Sequence, residues 1–463
     1  MNNILLVDFG STFTKATYIN IKEEILLTAQ SYSTVEEDIR IGYQNVLASL
    51  NKKAKKTLTF DKVIACSSAA GGLKMAAIGL VPELTVEAAK RTCMGAGAKV
   101  DLVFSYKLIK RDIEKIKENK IDIILLSGGT DGGNKEVVLH NAKLLAESSL
   151  DIPIIYAGNR DLQDEIVSLF PNKNDLYICE NIMKHINTLS FDDAKEKIRE
   201  VFLKKIIFAK GIKKIETEID RVIFPTPEAV LNAATLLSLG TVEEEGLGDL
   251  ILVDVGGATT DIYSMNYGLP KKVEIVMKGL EEPYSKRTVE GDFGMRYSAL
   301  GVVSKISEKE IKEYLKSGID LVKEAKKRVS NPSFIPISEY DKLVDNIIAK
   351  YAVSEAVKRH VGKIEPYYTS MGMMYYQIGK NLQDVKLVIG TGGVIVNSSD
   401  KWSILESVAG EGGIDLRPVN PEFAVDERYL LSSMGLLATL DKNLALRLMK
   451  KYIVKRDINE TKK

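Results

Sequence analysis

Val7-Asp8-Phe9-Gly10-Ser11-Thr12-Phe13-Thr14-Lys15 and Val253-Asp254-Val255-Gly256-Gly257-Ala258-Thr259-Thr260-Asp261 repeat one theme, with Asp254 lying 246 positions after Asp8. Each follows an apolar run, Ile4-Leu5-Leu6-Val7 or Leu250-Ile251-Leu252-Val253, that reads as a buried strand. Each strand ends in an aspartate, then glycine, then hydroxyl residues. A glycine turn lets backbone N–H groups approach phosphate oxygens closely. An aspartate at a strand end can hold a hydrated Mg2+ through its waters. One such loop is common; two suggest half-domains closing on one nucleotide. Asp8 and Asp254 are then the expected metal-holding residues, with Gly10, Ser11, Thr12, Gly256, Gly257, Ala258 and Thr259 around the phosphate tail. Lys15 either neutralises phosphate charge or points outward from the next strand.

Composition narrows the field. The chain has 463 residues, 64 basic against 63 acidic, for a net charge of +1. That balance supports neither a nucleic-acid stripe nor a polybasic membrane face. The N-terminus enters a strand within three residues and lacks the charged region of a signal peptide. No apolar stretch approaches the ~18 residues needed to span a bilayer. Cys66, Cys93 and Cys179 are too scattered for a C-x-x-C metal knuckle or a disulfide framework. A reduced, cytoplasmic protein is expected. His140, His185 and His360 lie outside every motif, so there is no basis for histidine catalysis.

Further signals place the remaining elements. Strands at 15–20 and 25–30 precede a helix over 38–50, and another strand is expected at 59–67. Residues 69–80 are rich in glycine and alanine, where backbone packs on backbone. Residues 100–180 read as strand–helix–strand crossovers, the unit of a parallel sheet. Their Ser127-Gly128-Gly129-Thr130-Asp131-Gly132-Gly133 loop is open to three readings: phosphate loop, partner contact or structural turn. A helix is expected over 192–209. Beyond Asp254 the pattern is hairpin-like to about 276 and mostly helical from 307 to 381. One Ala/Leu-rich helix follows over 432–447, and 457–463 form a polar tail.

Three elements complete the set. Leu387-Val388-Ile389 enters Gly390-Thr391-Gly392-Gly393, a turn without bulky side chains against which adenine and ribose can lie. Phe224-Pro225-Thr226-Pro227-Glu228 leads into one helix rich in small residues, and Ser432-Ser433-Met434-Gly435 lies in another. Small residues let such helices cross closely and act as a hinge.

Phosphate loop, connecting helix, second phosphate loop, adenosine loop and second connecting helix follow the order of the actin-like ATPase superfamily. More closely, the chain resembles the glutamate mutase L family, the MutL-type methylaspartate mutase accessory proteins. The likeness lies in Asp8 to Lys15, Ser68-Ala69-Ala70-Gly71-Gly72-Leu73-Lys74-Met75, Leu126 to Gly133, Arg287-Thr288-Val289-Glu290-Gly291-Asp292-Phe293-Gly294-Met295-Arg296 and Gly390 to Gly393. The mismatch-repair MutL shares only the label; its ATPase has a different fold.

The resemblance implies an α/β, two-lobed actin-like ATPase of duplicated ribonuclease H-like domains. The lobes would be 1–240, with an embedded α/β subdomain at about 100–180, and 241–440, leaving 441–463 as helix end and tail. ATP and Mg2+ are the implied cofactors, and subunits of an adenosylcobalamin-dependent mutase the implied partners. The implied activity is slow, Mg-dependent ATP hydrolysis driving chaperone-like exchange of damaged cobalamin. The alternative is a small-molecule kinase. Glu228 sits where DnaK-type relatives carry a carboxylate near the attacking water, and Asp261 is the other catalytic candidate. Either can instead be a helix cap or a solvated acid. The sequence sets no oligomeric state.

Overall fold

Ile4 to Val7 and Leu250 to Val253 are completely buried, as near-continuous apolar runs in central strands require. Each run forms the middle strand of a sheet in the computed structural model, which describes residues 2–10, 13–23, 25–32, 38–68, 73–170, 176–186, 188–209, 218–370 and 372–457. Ser11 and Thr12 lie outside the described residues, as do 69–72 of the Ser68–Met75 stretch and 458–463 of the tail. The chain divides into two compact units, residues 1–229 with 279–281, and residues 230–278 with 282–463.

In the first unit, β1 (Asn3–Phe9), β2 (Phe13–Asn20) and β3 (Ile25–Tyr32) form an antiparallel meander, and β4 (Lys62–Ser67) runs parallel to β1. A second, all-parallel sheet is then inserted: β5 (Lys74–Gly79), β6 (Lys99–Ser105), β7 (Ile123–Leu126), β8 (Ile154–Tyr156) and β9 (Leu176–Ile178), in the order β6-β5-β7-β8-β9. Its helices cover both faces. Ala88, Ala89 and Cys93 pack with Met75 and Ala77, whereas Val138, Ala142 and Leu145 pack with Ala76 and Ile78. This sheet starts earlier than residue 100, because the small residues of 74–79 fill a central strand covered on both sides. A short ribbon of β10 (Met183–His185) and β11 (Thr188–Leu189) follows. After the helix Asp192–Ala209, β12 (Arg221–Pro225) returns to the first sheet beside β4, giving the order β12-β4-β1-β2-β3.

The second unit repeats this plan. β13 (Leu250–Val255), β14 (Thr260–Met265) and β16 (Ser285–Glu290) form the meander, with β15 (Ile275–Met277) in the connection between the last two. β19 (Leu387–Thr391) and β20 (Glu422–Val425) add in parallel beside β13, and β21 (Val454–Lys455) closes the edge in the order β16-β14-β13-β19-β20-β21. Three antiparallel strands followed by two parallel ones is the ribonuclease H-like order, and it occurs once in each unit. The helix Glu339–His360 packs Val344, Ile348, Ala352 and Val353 against the second sheet's Ile251 and Val253.

Two expectations are corrected. The helical pattern from 307 stops at His360; β17 (Lys363–Thr369) and β18 (Gly372–Ile378) form an antiparallel hairpin instead. Pro366 has no place inside a helix, Gly372 takes φ +117°, and Tyr367 stacks on Tyr376 across the strands at 3.7 Å. The C-terminal helix is two helices, Leu431–Leu437 and Lys442–Tyr452, because Asp441 caps the second by accepting from the Leu444 amide at 2.9 Å.

Candidate functional site

The two Asp-Gly loops are closed by the same backbone hydrogen bond. In the first, the Gly10 amide donates to Phe13 O at 3.1 Å; in the second, the Gly256 amide donates to Thr259 O at 2.9 Å. The strand registers match as well, pairing Asp8 with Lys15 and Asp254 with Asp261. Cross-strand partners share a sheet face. Lys15 therefore lies on the same face as Asp8, and its slot in the second unit holds Asp261.

Asp8 is 3% exposed. Its Oδ1 accepts the Thr226 hydroxyl at 2.6 Å, and β4 places Cys66 beside it. Burial pushes the Cys66 thiol well above its usual range; Asp8 adds to this, while Thr226 and Lys15 oppose it. Cys66 therefore stays a neutral thiol, and all three cysteines are free and buried.

The second loop is held from behind by the segment after β16. Met295 N donates to Gly256 O at 3.0 Å, Arg296 N and Tyr297 N donate to Gly257 O at 2.8 and 3.0 Å, and Ser298 Oγ donates to Ala258 O at 2.9 Å. The loop carbonyls thus face the protein. Among the described residues, the N–H groups of Gly257, Ala258 and Thr259 meet no acceptor, and these residues are only half-buried. A short run of backbone donors with its carbonyls turned away is an anion-binding arrangement.

Gly390 to Gly393 sit beside this loop, because β13 and β19 pair Asp254 with Thr391. Gly392 takes φ +96°, and a Cβ there would lie 2.3 Å from Val255 O, so only glycine fits. Gly393 faces open space. After β20, Asp426 accepts the Leu430 and Leu431 amides at 2.9 and 3.0 Å, capping the helix Leu431–Leu437. Tyr429 holds φ +54°. Burial drives its phenol up to about 12, against the pull of the Asn397 hydrogen bond, and the negative charges of Asp254 and Asp426 add to the rise.

Both candidate catalytic carboxylates are bonded to arginine. Glu228, 5% exposed in the first turn of the helix Thr226–Leu239, takes Arg199 Nε at 2.9 Å on one oxygen and Arg199 Nη2 on the other. Burial nevertheless raises its pKa, outweighing Arg199. Asp261 takes the buried Arg287 at 2.8 Å from Nε and 2.5 Å from Nη2, and also the Thr259 hydroxyl at 3.0 Å.

The Arg287–Arg296 stretch is engaged inside the second unit. Arg359 bonds Glu290 and Asp292, and Arg296 bonds Asp345 at 2.9 Å. The Ser127–Gly133 loop is braced by buried Asn159 and Asn181. Asn159 accepts from Gly132 N, and Asn181 donates to Gly129 O and Asp131 Oδ1. Sequence reasoning missed Thr226, Arg199 and the loop-holding segment 293–298. The signal for the first was a threonine between two prolines at a helix start; the other two depend on contacts between distant residues. Among the described residues no three His, Cys, Asp or Glu side chains gather into a metal site, and no helix is long and apolar enough to cross a membrane.

Two ribonuclease H-like sheets, each carrying an Asp-Gly hairpin at the end of its central strand, define the duplicated actin-like ATPase fold. The family described as MutL protein matches residues 4–453, and the chain belongs to that family, glutamate mutase L. It is 48% identical over 465 residues to Protein MutL of Clostridium tetanomorphum, covering 98% of this chain and all of that protein. Solved structures are much more distant. Ligand-bound xylulose kinase from Lactobacillus acidophilus aligns at 10% identity and TM-score 0.39, covering 99% of this chain and 93% of the kinase. The activator of 2-hydroxyisocaproyl-CoA dehydratase from Clostridium difficile aligns at 10% and 0.31, covering 97% of both chains. The fold assignment rests on strand order, not on these two.

Proposed function

We propose that this protein is a slow, Mg-dependent ATPase that reactivates an adenosylcobalamin-dependent mutase of the glutamate mutase type by chaperone-like exchange of damaged cofactor. The observation that carries the nucleotide reading is the second loop, with Gly256–Ala258 carbonyls tied back and the next amides available as donors. Gly257 and Gly393 support it. A Cβ at Gly257 would first meet Arg296 Cγ, at 3.8 Å, and one at Gly393 meets nothing. Packing inside the protein does not require glycine at either position, whereas a closely approaching ligand does.

In this reading Asp8 and Asp254 hold Mg2+ through its waters. A pair of strand-end carboxylates suits an ion that keeps most of its water and takes the rest of its shell from phosphates. Gly257, Ala258 and Thr259 donate to phosphate oxygens, and Gly10, Ser11, Thr12, Gly256 and Lys15 would surround the phosphate tail with them. Gly390, Thr391, Gly392 and Gly393 form the surface for adenosine. Bound Mg-ATP supplies the transferable phosphoryl group and the charge that distinguishes one state of the protein from another. Glu228 and Asp261 serve as water-orienting carboxylates. An arginine-bound carboxylate is a weak base but a well-placed acceptor, and phosphoryl transfer depends mainly on positioning and charge stabilisation.

The mutase part of the reading is supported by family membership. Hydrolysis can drive release only if the ATP and ADP states bind the client differently. The test uses a cobalamin mutase inactivated during turnover and then given this protein, Mg-ATP and fresh adenosylcobalamin. ATP-dependent recovery is expected. Equal recovery without ATP, or with Asp8→Ala, refutes reactivation. Rapid phosphorylation of a sugar or carboxylate would make the protein a kinase.

A further inference from the structure

We infer that Thr226 is a positioning residue for Asp8, fixing the carboxylate in the orientation that receives hydrated Mg2+; the inference rests on the nucleotide reading above. Asp8 is almost fully buried, so bulk water cannot set its side-chain rotamer. The Thr226 hydroxyl, at 2.6 Å, can. A neutral donor orients a carboxylate without itself cancelling its charge.

Three features make Thr226 a stiff support. Its β-branched side chain has few χ1 choices. Pro225 and Pro227 flank it and fix the backbone on either side. The turn that carries it is also pinned at both ends. On one side the backbone of Gly97 closes on Pro225, so that a Cβ at Gly97 would lie 2.9 Å from Pro225 Cβ. On the other, Arg199 grips Glu228, two residues along the same helical turn. The Arg199–Glu228 pair thus locates Thr226, and Thr226 locates Asp8.

The experiment is calorimetric titration with ATP, in chelator and in excess Mg2+, for wild type, Thr226→Val and Thr226→Ser. The readout is the gain in ATP affinity that Mg2+ confers, and melting without nucleotide checks the fold. Thr226→Val is expected to lose about tenfold of that gain, the range of one hydrogen bond to a charged group. Its affinity in chelator should be unchanged. Thr226→Ser restores the hydroxyl and should keep most of the gain. If valine distorts the turn, Thr226→Ala carries the same test. A full Mg2+ gain in the hydroxyl-free variant overturns the inference. So does an equal loss in Thr226→Ser, which would make the methyl group rather than the hydroxyl responsible. If wild type shows no Mg2+ gain at all, the nucleotide reading itself fails and takes this inference with it.

Discussion

Gly294→Ala tests the second loop without touching any residue that would meet the ligand. A Cβ at this position would lie 2.3 Å from the Ala258 carbonyl carbon, 2.5 Å from its oxygen and 2.7 Å from Gly257 O. Ordinary contact begins near 3.4 Å, so segment and loop must separate by about 1 Å. An amide–phosphate bond works over only about half an ångström, from ~2.7 to ~3.2 Å. A shift of that size therefore breaks at least one charge-assisted bond, worth about 1.5–3 kcal/mol. ATP affinity should fall about 10- to 100-fold. Overpacking should also cost about 1–3 kcal/mol of stability, so calorimetry with Mg-ATP is paired with a melting curve of the same sample. Gly257→Ala is the companion variant. Its Cβ has room in the protein, so an affinity loss there without a melting change would indicate direct obstruction of the ligand. A folded Gly294→Ala protein that binds Mg-ATP like wild type would refute the argument that 293–298 sets the loop.

Asp8→Ala and Asp254→Ala should each weaken Mg-dependent ATP binding while the protein remains folded; calorimetry showing wild-type affinity for both would remove them as metal-holding residues. Glu228→Gln keeps an acceptor for Arg199 but loses the charge. ATP affinity should hold while single-turnover hydrolysis slows ~10²-fold, and an unchanged rate would leave Glu228 only its clamp with Arg199. His360 is fully buried between the Thr288 and Ser264 hydroxyls, each at 2.8 Å. Burial, then Lys286 and Lys380, depresses its pKa well below the usual 6.5. The fold favours neutral His360, so its contribution is present above the ordinary value and is lost as pH falls below it, by at most ~1.4 kcal/mol per pH unit. Denaturant titrations of His360→Gln between pH 7 and about pH 5 should show a shallower loss than wild type; an identical slope would assign the acid sensitivity elsewhere.

Local chemistry made the two hairpins readable. An apolar run ending in Asp-x-Gly has few ways to fold, and the structure gives both copies one closing hydrogen bond and one register. The helix over 192–209 was equally plain, and Asp192 and Asp193 stand in its first turn. The β17–β18 hairpin was not, because the run of tyrosines and methionines in 367–376 is compatible with either period until Tyr367 and Tyr376 meet across strands. The Arg287–Arg296 stretch could be quoted but not understood. Its role lies in backbone donors that reach residues almost 40 positions earlier, and backbone groups leave no trace in residue identity. Likewise, nothing local marks Arg199 as the partner of Glu228, 29 residues away. Side-chain type announces a loop well and a long-range partner poorly.

The inserted parallel sheet has a consequence for how the chain is made. β4 needs β12 on its outer side, yet Arg221 follows Ser67 by 154 positions. At ~5–20 residues per second, the ribosome takes roughly ten to thirty seconds to supply the missing strand. Throughout that time the nascent meander presents an unpaired strand edge, which can recruit a strand from another chain. Fragments ending before Arg221 should therefore aggregate through that edge, and full-length yield should depend on protecting it until translation has passed Pro225.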